Sequence, residues 1–506
     1  MPSLNEYRSE RVRKLDELKR LGINPYPAQA KRTHQLSKIS DDFVSLEGHD
    51  VSVVGRVVNI RKFGKLAFIV LQDSSGQLQL FLREGEMAET SSDSGILGIE
   101  LLPLLDTGDF LEAYGEVIKT KTGEVSINVR KLRLLTKALR PMPNTANGFT
   151  NKEERLRRRY IDLFANRNVY ERFLRRSTFW QATRDFLLAE SFTEINIPVL
   201  ELTTGGADAN PFVTHMDALD QDFYLRISHE LPLKRLLVGG YEKVFDIGPR
   251  FRNENYSDEH LPEHMAMEWY WAFADWQDGM GLTQKLVTHV VDKTWGKRNF
   301  LLKDGFEIDI GDPSRPWPRI SMVELFKEHY QLDILECSLE EVKTLLAKNN
   351  LEVEKKENRS RGIDKLWKHI RTEIDGPVFL IDIPKFLQPL AKTQGAKPQL
   401  TEQFNLLLGG TELCKAYSEL NDPIDQLDRF KEQQAMRESG DVEAMMLDID
   451  FVEALEYGMP PACGFGYSER LFWTLEGVSA REGVIFPHNR PEVSDVTRSI
   501  YPDLRL

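Results

Sequence analysis

Residues 243–276 read KVFDIGPRFRNENYSDEHLPEHMAMEWYWAFADW. A strand-like run ending in FRNE leads into the polar loop NYSDEHLPEH, and a second apolar run follows. The pattern predicts two strands joined as a hairpin. Arg252, at the end of the first run, stands where a forked guanidinium can grip an oxyanion and offset charge that develops on it. Toward the C-terminus, PPACGFGYSERLFW (460–473) sets a second arginine, Arg470, behind a glycine-rich turn. Taken singly, each arginine reads more readily as an ordinary residue, Arg252 as a surface arginine of a hairpin and Arg470 as a helix-end member of an ion pair; it is the two together, in such specific strings, that point to a site. The chain has neither a GxxxxGK[ST] phosphate loop nor a GxGxxG fingerprint, so a polyphosphate ligand would have to be held by side chains.

Around this hairpin, GPVFLIDIP (376–384) and EQFNLLLGG (402–410) add further strand runs among helical segments. They predict an α+β domain on a mainly antiparallel sheet. Residues of about 335–375 are charged, helical in pattern and free of strand signal, and suggest an inserted helical subdomain. Upstream the period changes. VSVVGRVVNI, LAFIVLQD, QLQLFL, FLEAYGEVI and EVSINVRKLRLL fall between Val51 and Leu135, separated by turn signals such as DSSG and KTGE. Five short strands of this kind suit a small closed barrel of the oligonucleotide-binding type, although other small barrels read alike. The expected partition is a helical extension (1–45), a barrel (46–138), a linker containing RPMPNTANG (139–168) and the α+β domain (169–506).

The chain has 506 residues, 41% of them hydrophobic and 29% charged, with a net charge of −13. This composition belongs to folded globular proteins and argues against a generic, wholly basic nucleic-acid binder. Charge is uneven, however. Residues 151–184 hold ten Lys/Arg against four Asp/Glu, which suits either a solvated helical face or a local polyanion surface. Three widely spaced cysteines, no apolar run long enough to span a bilayer and no secretory leader pattern lead to the expectation of a cytoplasmic protein without membrane association.

The 241–276 string resembles motif 2 of the class II aminoacyl-tRNA synthetases. PPACGFGYSERLFW with FPHNRPE (486–492) resembles their motif 3, and ESFTEINIPVLELTTGGADANPF (190–212) resembles motif 1 and the amino-acid loop after it. The lysyl subgroup is the nearest, through TKTGEVSINVRKLRLLTKALRP (120–141) and CKAYSELNDPIDQLDRF (414–430). The resemblance implies ATP-dependent activation of L-lysine, release of pyrophosphate and transfer of lysine to the 3′ end of tRNA(Lys), by a homodimer using Mg²⁺. It implies an oligonucleotide-binding barrel followed by a class II catalytic domain.

Carried over residue by residue, the resemblance implies that Arg252 holds the α-phosphate and the substrate carboxylate, and that Arg470 sits on the γ-phosphate. Glu254, His260 and His264 would contact the nucleotide. Gly206 and Glu230 would meet the α-amino group, while Glu268, Tyr270, Tyr417 and Glu419 would surround the far end of the side chain. Glu412 would help hold Mg²⁺, with Asn405 at the position of a second metal-holding acid. Phe68 would stack an anticodon base, with Gln79 and Glu124 reading base edges. Several positions depart from the common pattern: His264 replaces an adenine-stacking Phe, Glu259 an Arg beside the loop histidine, Asn405 an acid and Lys415 an Asn near the substrate carboxylate. Motif 3 is one residue shorter, with Glu469 in place of Asp.

A pocket that holds Glu268 together with Glu419 calls for a cation between them, and a substrate ending in an ammonium supplies one. Two other outcomes fit the same residues. One is a synthetase of this architecture charging another amino acid, with Lys415 as the driver. The other is a catalytically silent tRNA-binding relative, against which the presence of both Arg252 and Arg470 speaks. Ligases that attach lysine to proteins lack the barrel.

Overall fold

The computed structural model describes residues 3–143, 149–207, 209–253, 260–354, 357–440 and 443–503. Glu254 and Glu259 lie outside them. The chain forms two compact units, residues 1–151 with 489–506, and residues 152–488. This differs from the expected partition at two places. The second half of the expected linker is helical (Lys152–Arg157 and Arg159–Ala165) and belongs to the second unit. Its run of arginines is not a solvated face throughout, since Arg159 is buried and donates to Asp162 at 2.7 Å. The last residues, expected within the catalytic domain, belong to the first unit, where Asn5 donates to Ser499 at 2.8 Å and Arg8 lies over the Tyr501 ring.

In the first unit, helix α1 (Leu4–Arg20) starts at a capping box formed by Ser3 and Glu6. It is held by Arg11, which donates to the carbonyls of Thr107, Ala138 and Arg140 at 3.0 Å each. Strands β1 (Asp50–Phe63), β2 (Leu66–Gln72), β3 (Gln77–Arg83), β4 (Phe110–Lys119) and β5 (Val125–Thr136) close into a barrel of order β1-β2-β3-β5-β4. A register shift near Val57–Asn59 bends β1 so that it pairs with both β2 and β4. Leu78, Leu80 and Leu82 fill the interior, which leaves Gln77, Gln79 and Phe81 on the opposite side of β3.

The second unit is built on an eight-stranded sheet. Helix α2 (Arg167–Ala189) and strand β6 (Thr193–Glu194) precede helix α3 (Glu230–Val238) and the hairpin β7 (Lys243–Phe251) and β8 (Glu263–Ala272). Helix α4 (Trp276–Trp295), strand β9 (Arg319–Ser321), helices α5 (Leu339–Lys348) and α6 (Arg359–Ile370), strands β10 (Val378–Ile381), β11 (Gln403–Leu408), β12 (Thr411–Ser418) and β13 (Ala462–Ser468), and helix α7 (Arg470–Glu476) follow. The sheet order is β9-β10-β11-β12-β13-β8-β7-β6, antiparallel except for the β9–β10 and β7–β6 pairs. Thus the expected mainly antiparallel sheet is present, with an inserted pair of helices, α5 and α6.

Strand alternation sorts the two faces of the sheet. Met267, Trp269, Phe404, Leu406, Cys414, Phe465 and Tyr467 point into the main core; Trp269 stacks on Phe465 at 5.3 Å. All three cysteines are buried. The opposite face carries the polar residues described next. Among the described residues no helix is long and apolar enough to cross a membrane.

Candidate active site

Register places the functional side chains. Across the sheet, Glu268 on β8 pairs with Gly466 on β13, Gly466 with Lys415 on β12, and Lys415 with Asn405 on β11. One step along, Tyr270, Gly464, Tyr417 and Gln403 form a parallel row. Because side chains alternate, both rows share one face. The two glycines open a floor in the middle. A methyl on Gly464 would overlap Glu419 Oε1 and stand 2.8 Å from Tyr270 Cδ1. Gly206, at φ +84°, approaches so closely that a methyl there would lie 2.8 Å from Ser228 Oγ and from Glu230 Cβ.

The resulting cavity, of about 310 Å³, brings together Gly206, Glu230, Arg252, His260, His264, Glu268, Tyr270, Glu412, Lys415, Tyr417, Glu419 and Arg470. An adjoining cavity adds Asn405 beside Arg252, Glu412 and Arg470, with α6 contributing Arg361, Trp367 and Lys368 to its wall. Every expected catalytic-domain residue within the described chain therefore faces these two spaces. In the barrel, Phe68, Gln79 and Glu124 line a common groove with Arg61 and Phe63. Phe68 is tilted against Phe81 at 5.4 Å and edge-on to Phe63 at 6.2 Å, while Gln79 donates to Ser126 Oγ at 3.0 Å.

The electrostatics correct the expectation that the substrate alone neutralises the paired acids. Lys234, fully buried on α3, bridges Glu230 at 2.6 Å and Glu419. Arg250, with 14% of its side chain exposed, donates from Nη1 to Glu268 Oε1 at 3.3 Å and from Nε to His264 Nε2 at 2.9 Å. Glu268 also accepts from Ser228 Oγ at 2.9 Å, the His229 backbone N–H at 3.2 Å and Tyr270 Oη at 3.2 Å. Tyr417, expected at the far end of the side chain, instead donates to both Glu230 oxygens, at 2.7 and 2.8 Å. Lys415 is not lodged between the acids; its Nζ reaches Gln388 Oε1 at 3.3 Å and it is exposed. Among the described residues three carboxylates (Glu230, Glu268, Glu419) therefore face two resident cations (Lys234, Arg250), an excess of one negative charge when all three acids are ionised.

That excess is visible in the titration of the groups. Burial pushes the Glu419 carboxyl well above the usual carboxylate range, with Lys234 opposing and Glu230 and Glu268 adding to the rise. Burial likewise raises Glu268, and Arg250 opposes it. The phenols of Tyr270 and Tyr417 are held protonated by burial and by the surrounding acids, so both remain donors. Burial, together with Arg250, Arg252 and Arg470, pulls His264 well below the ordinary imidazole value. It is neutral, and its Nε2 accepts from Arg250.

The chemistry available at the other end is that of an anion site. Arg252 lies at the end of β7 and Arg470 at the start of α7, both bordering the cavity. Glu412 is the carboxylate beside them, with one oxygen accepting the Trp367 indole N–H. No group of three or more His, Cys, Asp or Glu able to hold a metal occurs among the described residues. A Mg²⁺ held here would take Glu412 and draw its remaining ligands from phosphate and water, the usual habit of that ion.

Lys234, Arg250, Ser228 and the glycine floor escaped the sequence reading. Lys234 stands four residues after Glu230 on a helix, a spacing that usually marks a surface ion pair. Arg250 precedes Arg252 by two residues and lines the same cavity.

Comparison with known proteins agrees with this arrangement. Residues 151–490 match the family model described as tRNA synthetases class II (D, K and N), and residues 51–135 match the OB-fold nucleic acid binding domain. The chain is similar to the lysine–tRNA ligase of Fervidobacterium nodosum, with 41% identity covering 99% of this chain and 97% of that protein. It is also 41% identical to the lysine–tRNA ligase of Thermotoga maritima, covering 97% of each, and 40% identical to that of Carboxydothermus hydrogenoformans, covering 96% and 99%. With a closed nucleic-acid-binding barrel in one unit and this sheet and site in the other, the chain belongs to the class II tRNA synthetases of the D, K and N group.

Proposed function

We propose that the protein activates L-lysine with ATP to lysyl-adenylate, releasing pyrophosphate, and transfers lysine to the 3′ end of tRNA(Lys). The observation that carries the choice of lysine is the pocket of three carboxylates with two resident cations, next to Arg252 and Arg470. The lysine ε-ammonium is the cation that Glu268, Tyr270 and Glu419 can accept, while the α-amino group goes to Glu230. A substrate without the ε-ammonium leaves buried acceptors unpaired, which costs affinity by roughly 10⁴ or more in sites of this hydrogen-bonding kind.

In the activation step the lysine carboxylate oxygen attacks the α-phosphorus and the bond to the β-phosphate oxygen breaks. Arg252 bridges the carboxylate and α-phosphate, and Arg470 holds the γ-phosphate, so catalysis is positioning and charge stabilisation without a side-chain nucleophile. His264 and His260 border the nucleotide, with Glu254 assigned there by resemblance. Gly206 and Glu230 receive the α-amino group. Mg²⁺ at Glu412, with Asn405 nearby, would neutralise developing phosphate charge. The terminal hydroxyl of tRNA then attacks the adenylate carbonyl and AMP leaves. Phe68, Gln79 and Glu124 form the anticodon groove. The active form is a cytoplasmic homodimer, checked by sedimentation equilibrium.

Lysine-dependent ATP–pyrophosphate exchange tests the reading. Signal with lysine and none with the other amino acids is expected; signal only with another amino acid overturns it. Lys415 favours that second reading, because its ammonium borders the same cavity as Arg252.

A further inference from the structure

Arg250 has no part in the scheme above, yet its guanidinium touches both halves of the site. Nε donates to His264, on the nucleotide side, and Nη1 donates to Glu268, in the amino-acid pocket. We propose that Arg250 is a resident rival of the substrate ammonium for Glu268, and that its displacement by lysine couples the amino-acid subsite to the nucleotide subsite. The proposal rests on the lysine reading.

Charge balance requires something to move. Lysine brings two ammonium groups into a region whose excess is one negative charge, while its carboxylate goes to Arg252. With Arg250 still on Glu268 the pocket would hold one positive charge too many, in surroundings where such a charge is poorly screened. The weakest bond in the cluster is the one that yields. The Nη1–Glu268 contact is a single one of 3.3 Å, whereas a good guanidinium–carboxylate fork is bidentate at 2.7–2.9 Å. Lys234, by contrast, is fully buried between two acids and bonded to both. Glu268 keeps Ser228, His229 N–H and Tyr270 as donors when the guanidinium leaves.

Where Arg250 goes is set by the strand. It sits near the end of β7, two residues before Arg252, which follows the strand and lines the same cavity, and its partner across the hairpin is His264. The Nε bond at 2.9 Å to neutral His264 is a pivot. Turning about it carries the Nη end from the carboxylate toward the space that Arg252 and Arg470 border. In the absence of nucleotide that space sets Arg250 against the cations Arg252 and Arg470, with Glu412 as the carboxylate beside them, and burial together with Arg252 and Arg470 already lowers the Arg250 guanidinium to about 9, against the pull of Glu268. Bound triphosphate reverses the sign of that environment. Lysine alone must therefore expel Arg250 into an unfavourable position, and lysine with nucleotide does not.

The experiment is calorimetric titration of the full chain with lysine, alone and with saturating α,β-methylene ATP, a non-hydrolysable analogue, for the native protein, R250Q and R250K. The native protein is expected to bind lysine at least tenfold more tightly with the analogue present. R250Q is expected to bind lysine alone about tenfold more tightly than the native protein, with less than threefold further gain from the analogue. R250K, too short and unforked to span His264 and Glu268, is expected to lose the coupling likewise, and it stands in should R250Q melt early. Lysine binding to the native protein that ignores the analogue, weaker lysine binding to folded R250Q, or undiminished coupling in either variant overturns the proposal. Failure of the native protein to bind lysine at all, while it binds another amino acid, overturns the lysine reading beneath it instead.

Discussion

Replacing Lys234 by Met removes the one cation that two buried acids share. The side chain is fully buried, its Nζ is 2.6 Å from Glu230 Oε1 and bonded also to Glu419, and burial, which opposes the ammonium, is outweighed by those two carboxylates. Methionine matches the stem but leaves the acids uncompensated. Breaking a buried pair in this way costs about 3–5 kcal/mol. Tyr417 still donates twice to Glu230, so the lower end, about 3 kcal/mol, is the expected loss. In a unit spanning residues 152–488, each kcal/mol moves Tm by about 2 °C, giving a fall of about 6 °C by calorimetry at pH 8. The sign of the pH dependence follows from Glu419. Its carboxyl is already raised by burial, and without Lys234 it rises further, so it binds a proton in the folded state before the unfolded chain does. Lowering the pH toward 5 therefore restores part of the lost stability. A K234M protein that melts with the native one at pH 8, or whose deficit grows on acidification, would refute the assignment of Lys234 as the shared counter-ion.

Gly464→Ala places a methyl against Glu419 Oε1 and the Tyr270 ring; KM for lysine is expected to rise at least tenfold in pyrophosphate exchange while KM for ATP changes little. Phe68→Ala removes the central ring of the barrel groove, and should weaken tRNA charging by the 1–3 kcal/mol of a lost base stack while sparing tRNA-free exchange. Glu201, with Oε2 lacking a hydrogen-bond partner, is raised to about 8 by burial, with Arg226 opposing and Asp448 adding. A carboxyl whose folded value exceeds 4.5 contributes stability below pH 4.5 that is lost as pH climbs through about 8. Glu201→Gln should therefore flatten the fall in Tm between pH 6 and 8, seen by differential scanning fluorimetry.

Much of this was legible from the chain because the decisive patterns are local. The leucine alternation at 78, 80 and 82 announces a half-buried barrel strand, and the structure places these residues inside the closed sheet. Arg252 and Arg470 sit in strings specific enough to name a family, and both border the cavity. What stayed hidden depends on distance in space. Glu230 and Lys234 form a routine i,i+4 pair on paper, and only the approach of Glu419, 185 positions beyond Lys234 in the sequence, makes that pair a buried triad. Gly464 and Gly466 read as a flexible turn, yet they lie within β13, where their lack of side chains makes room for those of β8 and β12. The assignment of residues 489–506 to the first unit rests on contacts with α1, nearly five hundred residues earlier, which no periodicity encodes.

The three thiols give this protein an internal clock. Cys337 belongs to the packing of the helical insertion, and Cys414 and Cys463 to the main core under the sheet. None lies in the barrel unit. A maleimide added to the intact protein meets three buried thiols, Cys414 among them at the edge of the active-site cavity, so adduct formation is expected to be slow and to speed up as the second unit opens, while the barrel stays silent. Peptide mapping of the adducts would separate fraying of the inserted helices, reported at position 337, from rupture of the sheet itself, reported at 414 and 463.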